Sequence, residues 1–152
     1  MEDENRLLAP ERAIFLMEDF SRGFIRYVGI EAQEARWGAF VSGLSVRPEH
    51  RQQDGFIHAG VLAAMADHTA GYAAFTAVSS GIQILTIEFK VNFLRPAAGQ
   101  GLICRSRVIR HGRRVMIGES DVFDLGESGE RHAARALVTL MPVPVEDLAG
   151  RG

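Results

Sequence analysis

The chain has a single cysteine, Cys104, in 152 residues, so it can form no intrachain disulfide and no cysteine-rich zinc cluster. Its five histidines, His50, His58, His68, His111 and His132, contain no pair at zinc-motif spacing, and no metal or other cofactor is expected. Charge of one sign is also lacking. Seventeen basic residues, of which only Lys90 is a lysine, face 19 acidic ones, for a net charge of −2. That balance argues against a nucleic-acid partner, whose binding rests largely on a basic surface, but leaves small anionic ligands open. No apolar run is long enough to cross a bilayer: residues 61–66 fall far short of about 20. The first residues carry Glu2, Asp3 and Glu4 where a secretory leader carries positive charge, so a cytoplasmic protein with no membrane partner is expected. Nothing reads as a linker or an internal repeat. With 47% apolar residues the chain is expected to form one domain around a real core.

The apolar pattern supplies the elements. Residues 10–27 place Ile14, Phe15, Met17, Phe20, Phe24 and Tyr27 near helical spacing, with Pro10 suited to a first helical position. Residues 36–46 mix aromatic and β-branched side chains before Pro48 and read as a first strand, followed by a polar loop to Gly55. Residues 58–78 are apolar or small on every face, the pattern of a buried helix. Four strands follow at 82–94, 102–110, 115–124 and 132–141, with turns at His111-Gly112 and at residues 126–129, and a tail from about 142 to 152. In the first of these strands, alternation groups Ile87, Phe89, Val91 and Phe93 on one face and Thr86, Glu88, Lys90 and Asn92 on the other. The order implies an α+β arrangement, a long buried central helix wrapped by a curled antiparallel sheet, with an extra N-terminal helix. One sheet cannot cover a helix that is apolar all round, so a second copy, related by a two-fold axis, is expected against the remainder.

Two features carry chemistry. The loop from Gln52 runs through Gly55 and His58 to Ala59 and Gly60, where a helix begins and free backbone N–H groups favour negative charge. An amide at Ala59 or Gly60 is placed to stabilise the oxyanion of an attacked carbonyl; the bland alternative is an ordinary glycine-bearing loop. Asp67 is the other feature, since a carboxylate in an apolar helix is unfavourable unless it is paired or hydrogen-bonded. It is either a structural acceptor or a general base or nucleophile. His68 points about 100° away around the helix and does not form a dyad with it.

The segment His58-Ala59-Gly60-Val61-Leu62-Ala63-Ala64-Met65-Ala66-Asp67 resembles the H-G-G-x-x-x-x-L-A-D segment of hotdog-fold acyl-CoA thioesterases of the phenylacetate-degradation type. Thr86 to Ala97, with Leu94-Arg95-Pro96 at its end, is similar to that family's second signature, and the resemblance covers roughly residues 46–140. It implies a hotdog fold, a homodimer assembled further as a dimer of dimers, and hydrolysis of an acyl-CoA to free acid and CoA. It implies that Asp67 activates water or attacks the thioester, that the Ala59 amide binds the carbonyl oxygen, and that Gln52 helps to hold water or substrate. Gln52 stands where many relatives have asparagine, and Ala59 where they have glycine; the chemistry uses only the backbone amide there. A hydroxyl from the partner subunit assists in some relatives, and Thr86 aligns with it, although simple alternation leaves its side chain on the solvated face.

His58 is expected mainly to order the loop, with substrate contact as its second role. Arg95, Arg110, Arg113 and Arg114, near strand ends and the His111-Gly112 turn, are candidates for charge-assisted bonds to CoA phosphates, against the plain reading of a solvated basic hairpin. Cys104, in mid-strand, reads as a packed residue rather than a nucleophile, and the apolar helix carries no G-x-S-x-G elbow of a serine hydrolase. A non-catalytic acyl-CoA sensor is the competing reading from another class. A hotdog hydratase or dehydratase would need a second acid/base residue that the sequence does not offer.

Overall fold

The structure is a computed structural model that describes residues 6–148. Its elements are α1 (Pro10–Phe20), α2 (Gly23–Val28), β1 (Ile30–Arg36), β2 (Ala39–Ser45), α3 (Ala59–Phe75), β3 (Ile82–Phe93), β4 (Gly101–Arg110), β5 (Met116–Gly126), β6 (Gly129–Pro144) and a closing turn, α4 (Val145–Leu148). The strands form one antiparallel sheet in the order β1-β2-β4-β5-β6-β3, with α3 lying against it. This is the expected hotdog arrangement.

Four boundaries differ from expectation. The helix expected over 10–27 breaks after Phe20: Arg22 is extended and Gly23 takes a left-handed φ of 52°, so α2 turns back toward α3. Such a φ comes at no steric cost only to glycine. The first strand is a hairpin of two strands. β1, IEAQEAR, is built of residues that favour helices, and it becomes a strand through pairing with β2 across the two-residue turn Trp37-Gly38. The central helix begins at Ala59 and ends at Phe75, shorter than 58–78. Finally, β6 runs on to Pro144 against β3, so the expected tail at 142–152 is partly strand; residues 149–152 lie outside the described residues. β5 begins opposite Leu140, so Pro142 and Pro144 lie where β6 no longer has that neighbour and a missing N–H is tolerated.

Two devices seat α3 on the sheet. Small residues allow close approach: a Cβ on Gly118 of β5 would lie 3.3 Å from the Ala70 Cβ. Beside this contact runs a buried chain of hydroxyls. Thr69 Oγ1 donates to the Met65 carbonyl at 2.6 Å, so the Ser42 hydroxyl, 2.7 Å away, must donate to Thr69. Ser120 Oγ donates to the Ala66 carbonyl at 2.7 Å, so Ser106, 2.6 Å away, must donate to Ser120. Ser106 then has no proton left for Cys104, 3.5 Å away, and the cysteine is the donor, a protonated thiol. Burial points the same way, raising the Cys104 pKa to about 11. Cys104 is thus a packed residue, unsuited to nucleophilic attack. The chain of hydroxyls fixes the height of α3 over β2, β4 and β5 at Met65 and Ala66, the two residues before Asp67.

The sheet covers only one side of α3. Leu62, Met65, Ala66, Thr69, Ala70, Ala73 and Ala74 are buried, whereas Gly60 is exposed and Ala63, Ala64, Asp67 and Gly71 are only partly buried. α1 covers another side: Phe20 packs on Phe40, His68 and Tyr72, and the Tyr72 hydroxyl donates to Asp19 at 2.7 Å. The edge strand β3 exposes Leu85, Ile87, Phe89 and Phe93. Among the described residues, no helix is long and apolar enough to cross a membrane.

Candidate active site

Residues 51–58 form a loop folded back on itself. Arg51 pairs with Ile57, the Gln52 N–H donates to the Phe56 carbonyl, and Gly55 makes the turn with a φ of 87°. The Arg51 guanidinium donates to the carbonyls of Gly55, Ala98 and Gly99, tying this loop to the β3–β4 connection. A second anchor is the buried Asp124, whose carboxylate accepts from the Ala98 and Gly99 amides and from Arg131. Neither anchor stood out in the sequence, where Arg51 was one polar loop residue among several and Asp124 one strand-end residue.

The loop delivers the chain to the start of α3. His58 is its N-cap, extended at φ −61° and ψ 135°, and its Nδ1 accepts from the Gly60 N–H at 2.8 Å. His58 therefore orders the loop, and the Gly60 amide is occupied. The Ala59 amide, by contrast, has no acceptor among the described residues and opens toward a cavity of about 560 Å³. Gln52, His58, Ala59 and Arg95 line that cavity with the apolar Phe56, Leu62 and Phe93. The Gln52 side chain is likewise unpartnered among the described residues. Of the expected arginines only Arg95 is here. Arg110, Arg113 and Arg114 belong to the β4–β5 hairpin, which meets the other end of α3 where His111 bonds to the Ala77 carbonyl. That is roughly 25 Å away along a 17-residue helix, so within one chain Arg113 and Arg114 are not part of this site.

Asp67 does not line this cavity. It is partly exposed rather than buried, and Thr86 Oγ1 of its own chain donates to its Oδ1 at 2.8 Å. Simple alternation fails for Thr86 because of a bulge. Thr86 pairs with Leu140 but Glu88 pairs with Thr139, so Ile87 is an extra residue and the faces exchange. Phe89, Val91 and Phe93, opposite the buried Val138, Ala136 and Ala134, share the helix-side face with Thr86; Glu88, opposite the Thr139 hydroxyl to which it bonds, lies on the outer face. Thr86 therefore bonds to Asp67 of its own chain. Asp67 and Ala59 are eight residues apart on one straight helix, about 12 Å, and cannot address one carbonyl from the same chain.

On its other side Asp67 borders an open groove of about 420 Å³ between α2 and α3, which it shares with Arg22, Phe24, Ile25, Ala64 and His68. His68 points away from Asp67 to donate Nε2–H to the Phe20 carbonyl at 3.0 Å. Burial lowers the His68 pKa below 6.5, outweighing the Phe20 bond and the Asp67 and Asp19 charges that raise it. Below pH 6.5 the unfolded chain takes up a proton that the folded one resists, so stability falls as the pH drops from 7 toward that lowered value. The urea midpoint is expected to be lower at pH 5.5 than at pH 7.5, and the difference is expected to shrink in His68→Gln.

Fold and site together define a hotdog protein with a free helix-start amide and a hydroxyl-held carboxylate on its central helix. A family model described as the thioesterase superfamily matches residues 54–129, from the loop through all of β5 to the start of β6. The crystal structure of a thioesterase family protein from Silicibacter pomeroyi is similar with 30% identity and a TM-score of 0.81, over 85% of this chain and 96% of that one. A phenylacetic acid degradation-related protein from Ralstonia eutropha JMP134 shares the fold at 24% identity and a TM-score of 0.69, over 76% and 86% of the two chains. In sequence, a Halobacterium salinarum protein named provisionally as an esterase is 25% identical over 135 residues, 86% of this chain and 82% of its own length. The chain belongs to the thioesterase superfamily, and thioester hydrolysis is the general chemistry it is built for.

Proposed function

We propose that the protein hydrolyses an acyl-CoA thioester at two equivalent sites, each shared between the chains of a two-fold dimer. Gln52 and the Ala59 amide come from one chain; Asp67 and Thr86 come from the other. The observation that carries this reading is the separation just described: an unoccupied amide and a hydroxyl-held carboxylate, about 12 Å apart on one helix; two antiparallel copies of that helix would bring them together. The part-exposed small residues Gly60, Ala63 and Gly71 of α3 and the apolar edge strand β3 support the same dimer, since a second copy would cover both.

In this mechanism the thioester carbonyl accepts from the free Ala59 N–H, and the carboxamide of Gln52 holds the water or the carbonyl. Thr86 occupies Oδ1 of Asp67, leaving Oδ2 to take the proton of the attacking water. As the tetrahedral intermediate collapses, that proton passes to the CoA sulfur. Direct attack by Asp67, with hydrolysis of the resulting anhydride, uses the same geometry. Arg95, at the rim of the cavity, is placed for the CoA phosphates.

Ala59→Pro provides a selective test. Ala59 is the first residue of α3, where proline is favoured, and His58 already has the extended backbone that a residue before proline requires. The helix is expected to form while the N–H is lost, lowering kcat about 10²–10³-fold. Mixing refolded Ala59→Pro and Asp67→Asn chains is expected to restore about a quarter of wild-type thiol release, because half the dimers then carry one intact site of two. No recovery would mean the site lies within one chain; binding of acyl-CoA without thiol release by the wild type would replace hydrolysis by sensing.

A further inference from the structure

We infer that the groove between α2 and α3 is the acyl subsite, and that it selects uncharged, apolar acyl groups of medium length or aromatic character over short or carboxylate-bearing ones. This deepens, and rests on, the hydrolytic reading above. A thioester carbonyl has two arms, and the chain offers two recesses. The cavity at the start of α3 holds Arg95 and does not reach Asp67, which suits the anionic CoA arm. The groove of about 420 Å³ has Asp67 in its own wall, so a carbonyl attacked there directs its acyl arm along α2.

The lining sets the chemistry of that arm. Phe24, Ile25 and Ala64 supply apolar walls. Arg22 is the only cation among the lining residues that holds its charge at every pH; it is mostly in solvent and its one ion pair is with Asp19 at 3.3 Å. His68 gives its N–H to the Phe20 carbonyl and is kept neutral near pH 7 by burial. Asp67 contributes negative charge. An acyl carboxylate would therefore enter beside the negative charge of Asp67, with only a solvent-screened Arg22 that already faces Asp19 to receive it, whereas a hydrocarbon chain meets hydrocarbon. The groove exists because the N-terminal helix breaks at Gly23; a helix continuous from Pro10 would carry Phe24 and Ile25 elsewhere.

The test is thiol release from acetyl-, butanoyl-, octanoyl-, benzoyl- and succinyl-CoA by wild type, Ala64→Leu and Phe24→Ala, with circular dichroism as a check on folding. For the wild type, kcat/KM is expected to rise about fourfold per added methylene until the groove fills, and octanoyl- to exceed succinyl-CoA at least tenfold. Ala64→Leu, which fills the groove, is expected to lower the octanoyl-to-acetyl ratio at least tenfold. Phe24→Ala, at a ring already 65% exposed, should lower it several-fold and decides the matter if Ala64→Leu fails to fold. An unchanged ratio in the folded variants, or succinyl-CoA turned over as well as octanoyl-CoA, overturns the assignment. If the wild type hydrolyses none of the panel, the hydrolytic reading fails, and the same panel is measured as dissociation constants. Affinity that grows with chain length and loses that growth in Ala64→Leu then supports the subsite; affinity indifferent to chain length removes it.

Discussion

Asp67→Asn is expected to lower kcat for acyl-CoA hydrolysis about 10²–10⁴-fold, the range for loss of a positioned general base, with little change in KM or in the urea midpoint. The fold should tolerate the change for two reasons. Asp67 is partly exposed, so its charge is not an unfavourable buried one whose removal would alter stability. An asparagine Oδ1 can also still accept from the Thr86 hydroxyl, which keeps β3 tied to α3 at this point. What asparagine cannot do is take a proton from water at its second atom or attack a carbonyl. Steady-state thiol release, with circular dichroism on the same samples, measures both parts. Near-normal turnover would return Asp67 to the structural role that the sequence alone left open.

The elements most legible in the sequence were those whose pattern is set by burial. A helix apolar on every face and strands that alternate both announce a core, and α3 and β3 to β6 lie close to where the pattern put them. β1 was missed because its residues favour helices and only pairing with β2 makes them a strand. The break before α2 was missed because Phe24 and Tyr27 happen to continue the helical spacing through Gly23, whose left-handed φ no periodicity reveals. At the site, residue types were readable and their partners were not. Thr86 was named by resemblance while its face stayed open, because simple alternation misses the one extra residue, Ile87, that reverses the parity of β3. The choice between the Ala59 and Gly60 amides needed the His58 ring, which occupies one of them. Arg113 and Arg114 are near in composition to what CoA requires, yet the hairpin that bears them lies at the far end of α3.

Asp124→Ala is expected to destabilise the protein by about 3–5 kcal/mol, from the loss of two charge-assisted bonds to backbone amides at about 1.5–3 kcal/mol each. The Asp124 side chain is only 2% exposed, and its two oxygens accept from the Ala98 amide at 3.1 Å, the Gly99 amide at 2.8 Å and Arg131 at 2.8 Å. Alanine leaves the buried Gly99 N–H without an acceptor and hands the Ala98 N–H and the half-exposed Arg131 guanidinium over to water. The strand cannot simply move in to satisfy them, because Gly99 already lies so close to Asp124 and Leu125 that there is no room for a Cβ. Urea denaturation at fixed protein concentration measures the loss; the concentration must be held because the proposed dimer would add to apparent stability. The effect should also reach the site without touching it. Ala98 and Gly99 are the residues on which Arg51 anchors the Gln52 loop, and they follow directly on Arg95 to Ala97 in the cavity wall. Just below its unfolding midpoint, Asp124→Ala is therefore expected to raise KM for acyl-CoA several-fold more than it lowers kcat, since Asp67 and Thr86 lie on elements this clamp does not hold. Asp124→Asn separates charge from hydrogen bonding: it keeps one acceptor for a backbone amide but loses the ion pair with Arg131, and should fall between alanine and wild type. A full 3–5 kcal/mol loss in Asp124→Asn as well would mean that the Arg131 ion pair, rather than the amide bonds, holds the β3–β4 connection in place.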